Sequence, residues 1–152
     1  MRYLLPLLGL LVLIGCGGKG QNSLMITVDS KYDLTQTISR FEKAITEKGY
    51  TVTGTTDHTQ IAKKENIYLR PTTAITVDNP KVFSALLTCN PSLAIDLPIR
   101  VSAYSLLGGD VKFSYTQPEY WSLKHNIKDK NCIAIVLEIT RDFNEAIAAI
   151  TP

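Results

Sequence analysis

The chain has 152 residues, of which 45% are hydrophobic and 20% are charged, a composition typical of one globular domain with a buried core. This composition excludes a disordered or low-complexity protein. The formal net charge is only +2, and the lysines and arginines form no cluster, so no nucleic-acid partner is expected.

The first residues have the organisation of an export signal. One positive charge, Arg2, precedes an apolar run from Tyr3 to Ile14, and the small residue Gly15 stands before Cys16. As a helix, the apolar run would extend about 18 Å, well short of the roughly 30 Å hydrocarbon core of a bilayer. A permanent membrane span is therefore not expected here.

The stretch LIGC, residues 13–16, resembles the lipobox of bacterial lipoproteins, whose signal is cut just before a cysteine that carries diacylglycerol. The resemblance implies a signal peptide over 1–15, lipid attachment at Cys16 and a flexible tether over 16–23. Two or three acyl chains anchor stably because each buried methylene contributes about 0.8 kcal/mol. The expected location is the periplasm-facing side of a bacterial envelope membrane, and Gly17 favours the outer membrane. An ordinary secretory signal is the alternative.

From residue 24 the sequence predicts a single domain, 24–152, in which strands and helices alternate. Alternating, β-branched runs predict strands at 24–30, 50–58, 73–78 and in the hairpin 97–116, whose turn is Gly108-Gly109-Asp110. Caps and helical spacing predict helices at 33–49, 79–87, 118–126 and 131–150. The segment 59–72 mixes a helical turn with an apolar piece, and residues 132–139 taken alone would also fit a strand.

This order of elements predicts an α+β fold, an α/β two-layer sandwich. A mainly antiparallel sheet of about five short strands is expected, with the helices packed on one face. No internal repeat and no second domain are indicated by the sequence.

The domain also carries an ordered series of landmarks. They are Asp57-His58, Leu69-Arg70-Pro71-Thr72, Asn79-Pro80-Lys81, Pro91, Asp96-Leu97-Pro98, Tyr115, Pro118 and His125. Their order over about residues 24–150 resembles the domain of unknown function 302 family. The resemblance implies a two-layer fold and a tendency to form homodimers, and it implies no catalytic residue. The chain departs from the family's pattern at Val77-Asp78, Val82-Phe83 and Ile99-Arg100.

Motifs for metal, cofactor or phosphate binding are not evident. After removal of the signal the chain keeps two histidines and two distant cysteines besides Cys16, without a CxxC or HxxxH pair, so neither a metal nor a cofactor is expected. His58 follows a predicted strand, where loops often carry function, and a solvated loop histidine is the alternative. His125 ends a predicted helix, where its cation would meet the last carbonyl groups.

The sequence leaves open whether Cys89 and Cys132 form a disulfide or remain free thiols. In an oxidising compartment they pair into a disulfide, and otherwise they remain core thiols. Pairing would close a loop of 43 residues and contribute about 4 kcal/mol in the chain-entropy model. A dyad of Cys89 with a distant histidine is a further use of the thiol.

The leading functional hypothesis is a non-enzymatic, membrane-anchored envelope lipoprotein that binds a small molecule or a protein partner. The predicted ligand-binding residues are His58, Arg70, Asp96, Tyr115 and His125. The aromatic segment 115–121 is expected to form a pocket wall or a dimer face. The alternatives are an envelope redox or small-molecule enzyme that uses His58 and Cys89, and a purely structural envelope protein. The expected partners are the membrane, through acyl chains on Cys16, a second copy of the chain and a small-molecule ligand.

Overall fold

A computed structural model describes residues 24–152 and has the predicted α+β fold of two layers. The strands are β1 (Met25–Ser30), β2 (Thr51–Asp57), β3 (Thr72–Asp78), β4 (Ile99–Ser105) and β5 (Val111–Thr116). The helices are α1 (Leu34–Glu47), α2 (His58–Lys64), α3 (Pro80–Cys89), α4 (Tyr120–Lys124) and α5 (Lys130–Ala148), and a 3₁₀ helix (Pro91–Ile95) precedes β4. The predicted signal peptide, the tether and Cys16 lie outside the described residues.

The five strands form one sheet in the order β1-β5-β4-β3-β2, and all neighbouring strands are antiparallel. The predicted hairpin is confirmed, with Val101 opposite Tyr115 and Ala103 opposite Phe113. We call the end of the sheet that holds the end of β2, the start of β3 and the β4–β5 turn the turn end. The opposite end, with the starts of β1 and β4 and the end of β5, is the Asp96 end. Strands of seven residues separate the two ends by about 20 Å.

Most helices begin where a short polar side chain caps them. Asp33 accepts a hydrogen bond from the N–H of Gln36 at 2.8 Å, which starts α1. Gly49, just beyond the end of α1, has a φ of 86°, which suits glycine. The mixed segment 59–72 begins with the rest of α2, which Asp57 caps, and continues as an exposed loop. Residues 132–139 lie within α5, so the strand alternative for them is wrong.

The core lies between the sheet and helices α1, α3 and α5. Along β4, every second residue from Ile99 to Ala103 is buried towards the helices, whereas Arg100 is exposed on the opposite face. Phe41 of α1 packs against Phe143 of α5 with ring centroids 6.2 Å apart. The alternation along the strands therefore decides which side chains of the sheet are available to a ligand.

Candidate functional site

Asp96 and His125, two of the predicted ligand-binding residues, lie together at the Asp96 end of the sheet. Nε2 of His125 lies 2.5 Å from a carboxylate oxygen of Asp96, and Nδ1 lies 2.6 Å from Oγ of Ser92. Nζ of Lys124 contacts both oxygens of Asp96, at 2.7 and 2.9 Å. The His125 side chain is 4% exposed and that of Asp96 is 18% exposed. Four side chains thus form one connected network.

The backbone around this network is held by Asn90. Its Oδ1 accepts the N–H of Ser92 at 2.9 Å, which caps the 3₁₀ helix, and its Nδ2 donates to the carbonyl oxygen of His125 at 2.8 Å. Asp96 stands at the end of the same 3₁₀ helix, and His125 stands at the end of α4. One asparagine therefore ties together the two segments that supply the network.

The charge state of Asp96 sets the orientation of the imidazole. Burial raises the pKa of this carboxyl, but hydrogen bonds from Lys124 and His125 outweigh burial and lower the pKa overall. Because a carboxylate only accepts, Nε2 of His125 carries the N–H that donates to Asp96, and Nδ1 faces the hydroxyl of Ser92. The prediction that the His125 side chain meets the carbonyl groups of its helix is wrong, since both ring nitrogens are engaged elsewhere.

The order serine, histidine, aspartate is also that of a nucleophilic triad. Acyl transfer needs in addition free N–H groups that stabilise an oxyanion. The N–H of Ser92 is already bonded to the side chain of Asn90, and that of Leu93 is bonded to the Asn90 carbonyl. Ser92 is also not among the residues that line the adjacent groove. The network therefore positions Asp96 but lacks the other parts of an acyl-transfer site.

A groove of about 180 Å³ lies directly beside the network. It is lined by Ile95, Asp96, Pro98, Ile99, Arg100, Thr116 and Trp121. The volume is below the roughly 300–1,000 Å³ that drug-sized ligands occupy, so it suits a molecule of few heavy atoms. Asp96 belongs both to the network and to the groove wall, which links the two.

A larger depression of about 580 Å³ lies between α1 and β2. Tyr50 lines it, but this residue is 2% exposed and its hydroxyl donates to Asp142 at 3.3 Å. Burial and the Asp142 carboxylate raise the pKa of Tyr50 far above its usual range. Because the Tyr50 hydroxyl is already paired with Asp142, it is not free to bind a ligand in this depression.

Tyr115 is a core residue and does not line a pocket with Asp96. It is 2% exposed, its hydroxyl donates to Oδ1 of Asn144 at 3.1 Å, and its ring stacks on Phe143 with centroids 5.6 Å apart. Burial raises the pKa of Tyr115 to about 12. Its predicted role in ligand binding is therefore corrected, since the alternation of β5 points it into the helix layer.

His58 and Arg70 lie at the turn end, about 20 Å from Asp96. His58 is the first residue of α2, and the carbonyl oxygen of Arg70 accepts from Thr59 of the same helix at 3.4 Å. The five predicted ligand-binding residues therefore do not share one pocket, because the length of the sheet separates His58 and Arg70 from Asp96 and His125. Neighbouring exposed apolar side chains here are those of Ile61, Ile67, Tyr68, Leu69, Leu106 and Leu107. A homodimer through such a surface stays a prediction.

Cys89 and Cys132 form a disulfide in the structure, with Cα atoms 6.0 Å apart. It joins the end of α3 to the start of α5. Asn90, the next residue, contacts His125 at the Asp96 end, whereas His58 lies at the turn end. A catalytic pair of His58 and Cys89 is therefore not formed, because the thiol is bonded and the histidine is remote.

Sequence reasoning missed Ser92, Lys124 and Arg100, whereas Trp121, which lines the groove, belongs to the segment 115–121 that was expected to form a pocket wall or a dimer face. A signal existed for Arg100, since a lone charge within the alternating run PIRVSAY marks the face of a strand that avoids the core. No local pattern singles out Ser92 or Lys124, which join the network only through folding. Within residues 24–152, no group of three or more histidine, cysteine or acidic side chains is placed to hold a metal ion.

We expect Asp96→Asn to remove a pH-dependent part of the stability. The folded pKa of Asp96 lies below its usual 3.8, so the carboxylate stabilises the fold above about pH 4, and this is lost as the pH falls through the folded pKa. Urea denaturation should give a loss of about 1–2 kcal/mol at pH 7, because charge-assisted hydrogen bonds are stronger than neutral ones. The difference from wild type should shrink at pH 3.

Asp29→Asn is the matched control, because its ion pair with Lys112 leaves the carboxylate side chain 63% exposed. It should have little effect at either pH. A loss for Asp96→Asn that is the same at pH 7 and pH 3 would contradict the assigned charge state.

Comparisons with known proteins place this geometry in context. Residues 26–150 match the family "Domain of unknown function DUF302". The crystal structure of an uncharacterized conserved protein DUF302 from Bacillus stearothermophilus has a TM-score of 0.75 at 20% identity, covering 84% of this chain and 98% of that one. At this identity the likeness shows the fold.

Curated relatives include proteins named fluoride-specific ion channels. FluC 1 of Brucella suis biovar 1 is 28% identical over 119 residues, which are 78% of this chain and 47% of that protein. FluC 2 of Brucella melitensis biotype 1 is 28% identical over 119 residues, 78% of this chain and 44% of that protein. The chain thus spans about half the length of these relatives. Among residues 24–152, no helix has both the length and the apolar character needed to cross a membrane.

Proposed function

The chain belongs to the DUF302 family, whose description names no activity, and we propose its function from the site itself. The protein is a bacterial envelope lipoprotein, anchored through Cys16, that binds a small molecule in the groove beside Asp96 and does not convert it chemically. The observation that carries this proposal is the position of Asp96, a wall of the groove that the side chains of Lys124 and His125 hold in place.

A wall held in this way favours binding, because a preformed site loses little conformational entropy when the ligand arrives. Asp96 cannot turn away without breaking its contacts to Lys124 and His125. Asn90 restrains the backbone on both sides of the network. The site thus has a rigid support. The backbone N–H groups of Ser92 and Leu93, which acyl transfer would need unpaired, are already hydrogen-bonded to Asn90.

The chain enters the fold beside the groove, and this position supports a location of the groove close to the membrane. The carbonyl oxygen of Leu24 accepts from the N–H of Gln117 at 3.0 Å, and Met25 lies opposite Thr116, which lines the groove. A tether over residues 16–23 spans at most about 29 Å when fully extended. The similarity to proteins named fluoride-specific ion channels also fits a domain that works at a membrane surface.

A thermal-shift screen of small metabolites against the purified full chain tests the proposal. We expect a ligand that raises the melting temperature of the wild type, since a ligand at a hundred times its Kd contributes about 2.7 kcal/mol. Asp96→Asn should lose this rise, because the substitution weakens the contacts to Lys124 and His125 that hold the groove wall in place. Arg70→Gln is the control, since Arg70 is exposed at the turn end.

A rise that Arg70→Gln abolishes and Asp96→Asn retains would move the binding site to the turn end. If no metabolite raises the melting temperature of the wild type, the proposed binding function fails.

A further inference from the structure

We propose that the ligand of this groove carries a carboxylate, which the guanidinium of Arg100 binds. The inference rests on the proposed function, because it names the class of ligand for the same groove.

Arg100 lines the groove and has an unpaired guanidinium within residues 24–152. Two other cations at the sheet are paired, since Lys112 contacts Asp29 and Lys124 contacts Asp96. Arg100 is exposed and makes no side-chain hydrogen bond or ion pair within residues 24–152. A guanidinium presents its N–H groups as a planar fork that matches the two oxygens of a carboxylate. The groove therefore contains a recognition group without a protein partner.

Trp121 supplies a second donor. The residue is 2% exposed, and its side chain makes no hydrogen bond among the described residues. Among residues 24–152, every fully buried side-chain nitrogen and oxygen has a hydrogen-bond partner. Because the indole N–H of Trp121 has no partner, it is not fully buried and reaches the surface. The groove is the cavity that Trp121 lines, together with the hydroxyl-bearing Thr116. An indole N–H only donates, so it favours a ligand that accepts hydrogen bonds.

The balance of charge around the groove also favours an anion. Asp96 lines the groove, but Lys124 contacts both of its oxygens and compensates its charge. Arg100 then leaves one uncompensated positive charge. The remaining wall is apolar, with Ile95, Pro98 and Ile99. A small carboxylate with a short apolar tail fits this combination and the volume of about 180 Å³.

The chain contains one tryptophan, so a single indole N–H signal reports on the groove in NMR spectra of the ¹⁵N-labelled full chain. The probes are sodium propionate, its neutral isostere propionamide, sodium fluoride and sodium phosphate, each at the same ionic strength set with sodium chloride. We expect propionate to move the indole signal and the Nε–H signal of Arg100 in a saturable manner. Propionamide, which lacks the charge, and fluoride and phosphate, which lack an apolar tail for the wall of Ile95, Pro98 and Ile99, should move them less.

Arg100→Gln should weaken propionate binding by about tenfold or more, because a charge-assisted contact is lost. Arg100→Lys should restore part of the affinity, since it keeps the charge but not the fork. Arg70→Gln, at the turn end, should bind as the wild type does. Equal losses for Arg100→Gln and Arg70→Gln would mean that general surface charge attracts the anion, and would overturn the assignment.

The outcomes separate this inference from the proposed function. If propionamide binds as well as propionate, the groove binds small molecules, but the carboxylate is not what it recognises. If only fluoride or phosphate moves the indole signal, the ligand class is wrong while the site stands. If no probe moves it and the metabolite screen also finds no ligand, both the inference and the proposed function fail.

Discussion

Loss of the disulfide between Cys89 and Cys132 is expected to lower the free energy of unfolding by about 4 kcal/mol, because the bond closes a loop of 43 residues in the unfolded chain. Urea denaturation of the Cys89→Ser/Cys132→Ser chain, compared with the oxidised wild type, measures this loss. The bond also precedes Asn90, which holds both segments of the Asp96 network. We therefore expect the doubly substituted chain to bind the groove ligand more weakly as well.

The wild type in a reducing agent is the internal control for this experiment. Reduction should shift the wild-type curve towards that of the Cys89→Ser/Cys132→Ser chain and leave the latter unchanged. Mass spectrometry of protein alkylated without reduction should give the peptide pair joined through residues 89 and 132. Two alkylated thiols in protein taken directly from the envelope would show that the bond is not formed there.

Cys16→Ser is expected to abolish lipid attachment completely, because the thiol is the nucleophile that accepts diacylglycerol and a serine hydroxyl is far less reactive. Metabolic labelling with an alkyne fatty acid should label the wild type and leave the variant unlabelled. Without acyl chains the protein loses about 0.8 kcal/mol of membrane affinity for each buried methylene, so the variant should leave the membrane fraction.

Single Cys89→Ser and Cys132→Ser variants are the matched controls for labelling, since they remove a thiol without touching the lipobox. Both should incorporate the fatty acid as the wild type does. Label that survives in Cys16→Ser would sink the lipoprotein proposal.

The helices and strands whose ends are marked by nearby residues, such as caps and turns, were predictable from the sequence. Asp33 and Asn79 begin helices because each side chain bonds an N–H three residues further along the chain. The glycine pair 108–109 adopts positive φ angles that other residues avoid, and the hairpin register follows from it. The second helix escaped prediction because the segment 59–72 carries few apolar residues at helical spacing, and most of α2 is exposed.

The candidate site was predictable only in part. Asp96 and His125 were identified separately, yet their contact joins residues 29 positions apart. The same landmarks suggested His58, Arg70 and Tyr115, which the fold sends to the far end of the sheet or into the core. A landmark in the sequence thus indicated a candidate residue but did not indicate which other residues lie beside it in the fold.

The sequence by itself determined the α+β class, the caps and the central hairpin, because these depend on interactions between residues close together in the chain. Only the tertiary structure decided the rest: that Arg100 and Trp121 line one groove, which carboxylate holds His125, and whether Cys89 reaches Cys132. These outcomes depend on how the helices pack on the sheet. Packing brings distant segments within hydrogen-bond distance, and no local pattern of residues encodes that arrangement.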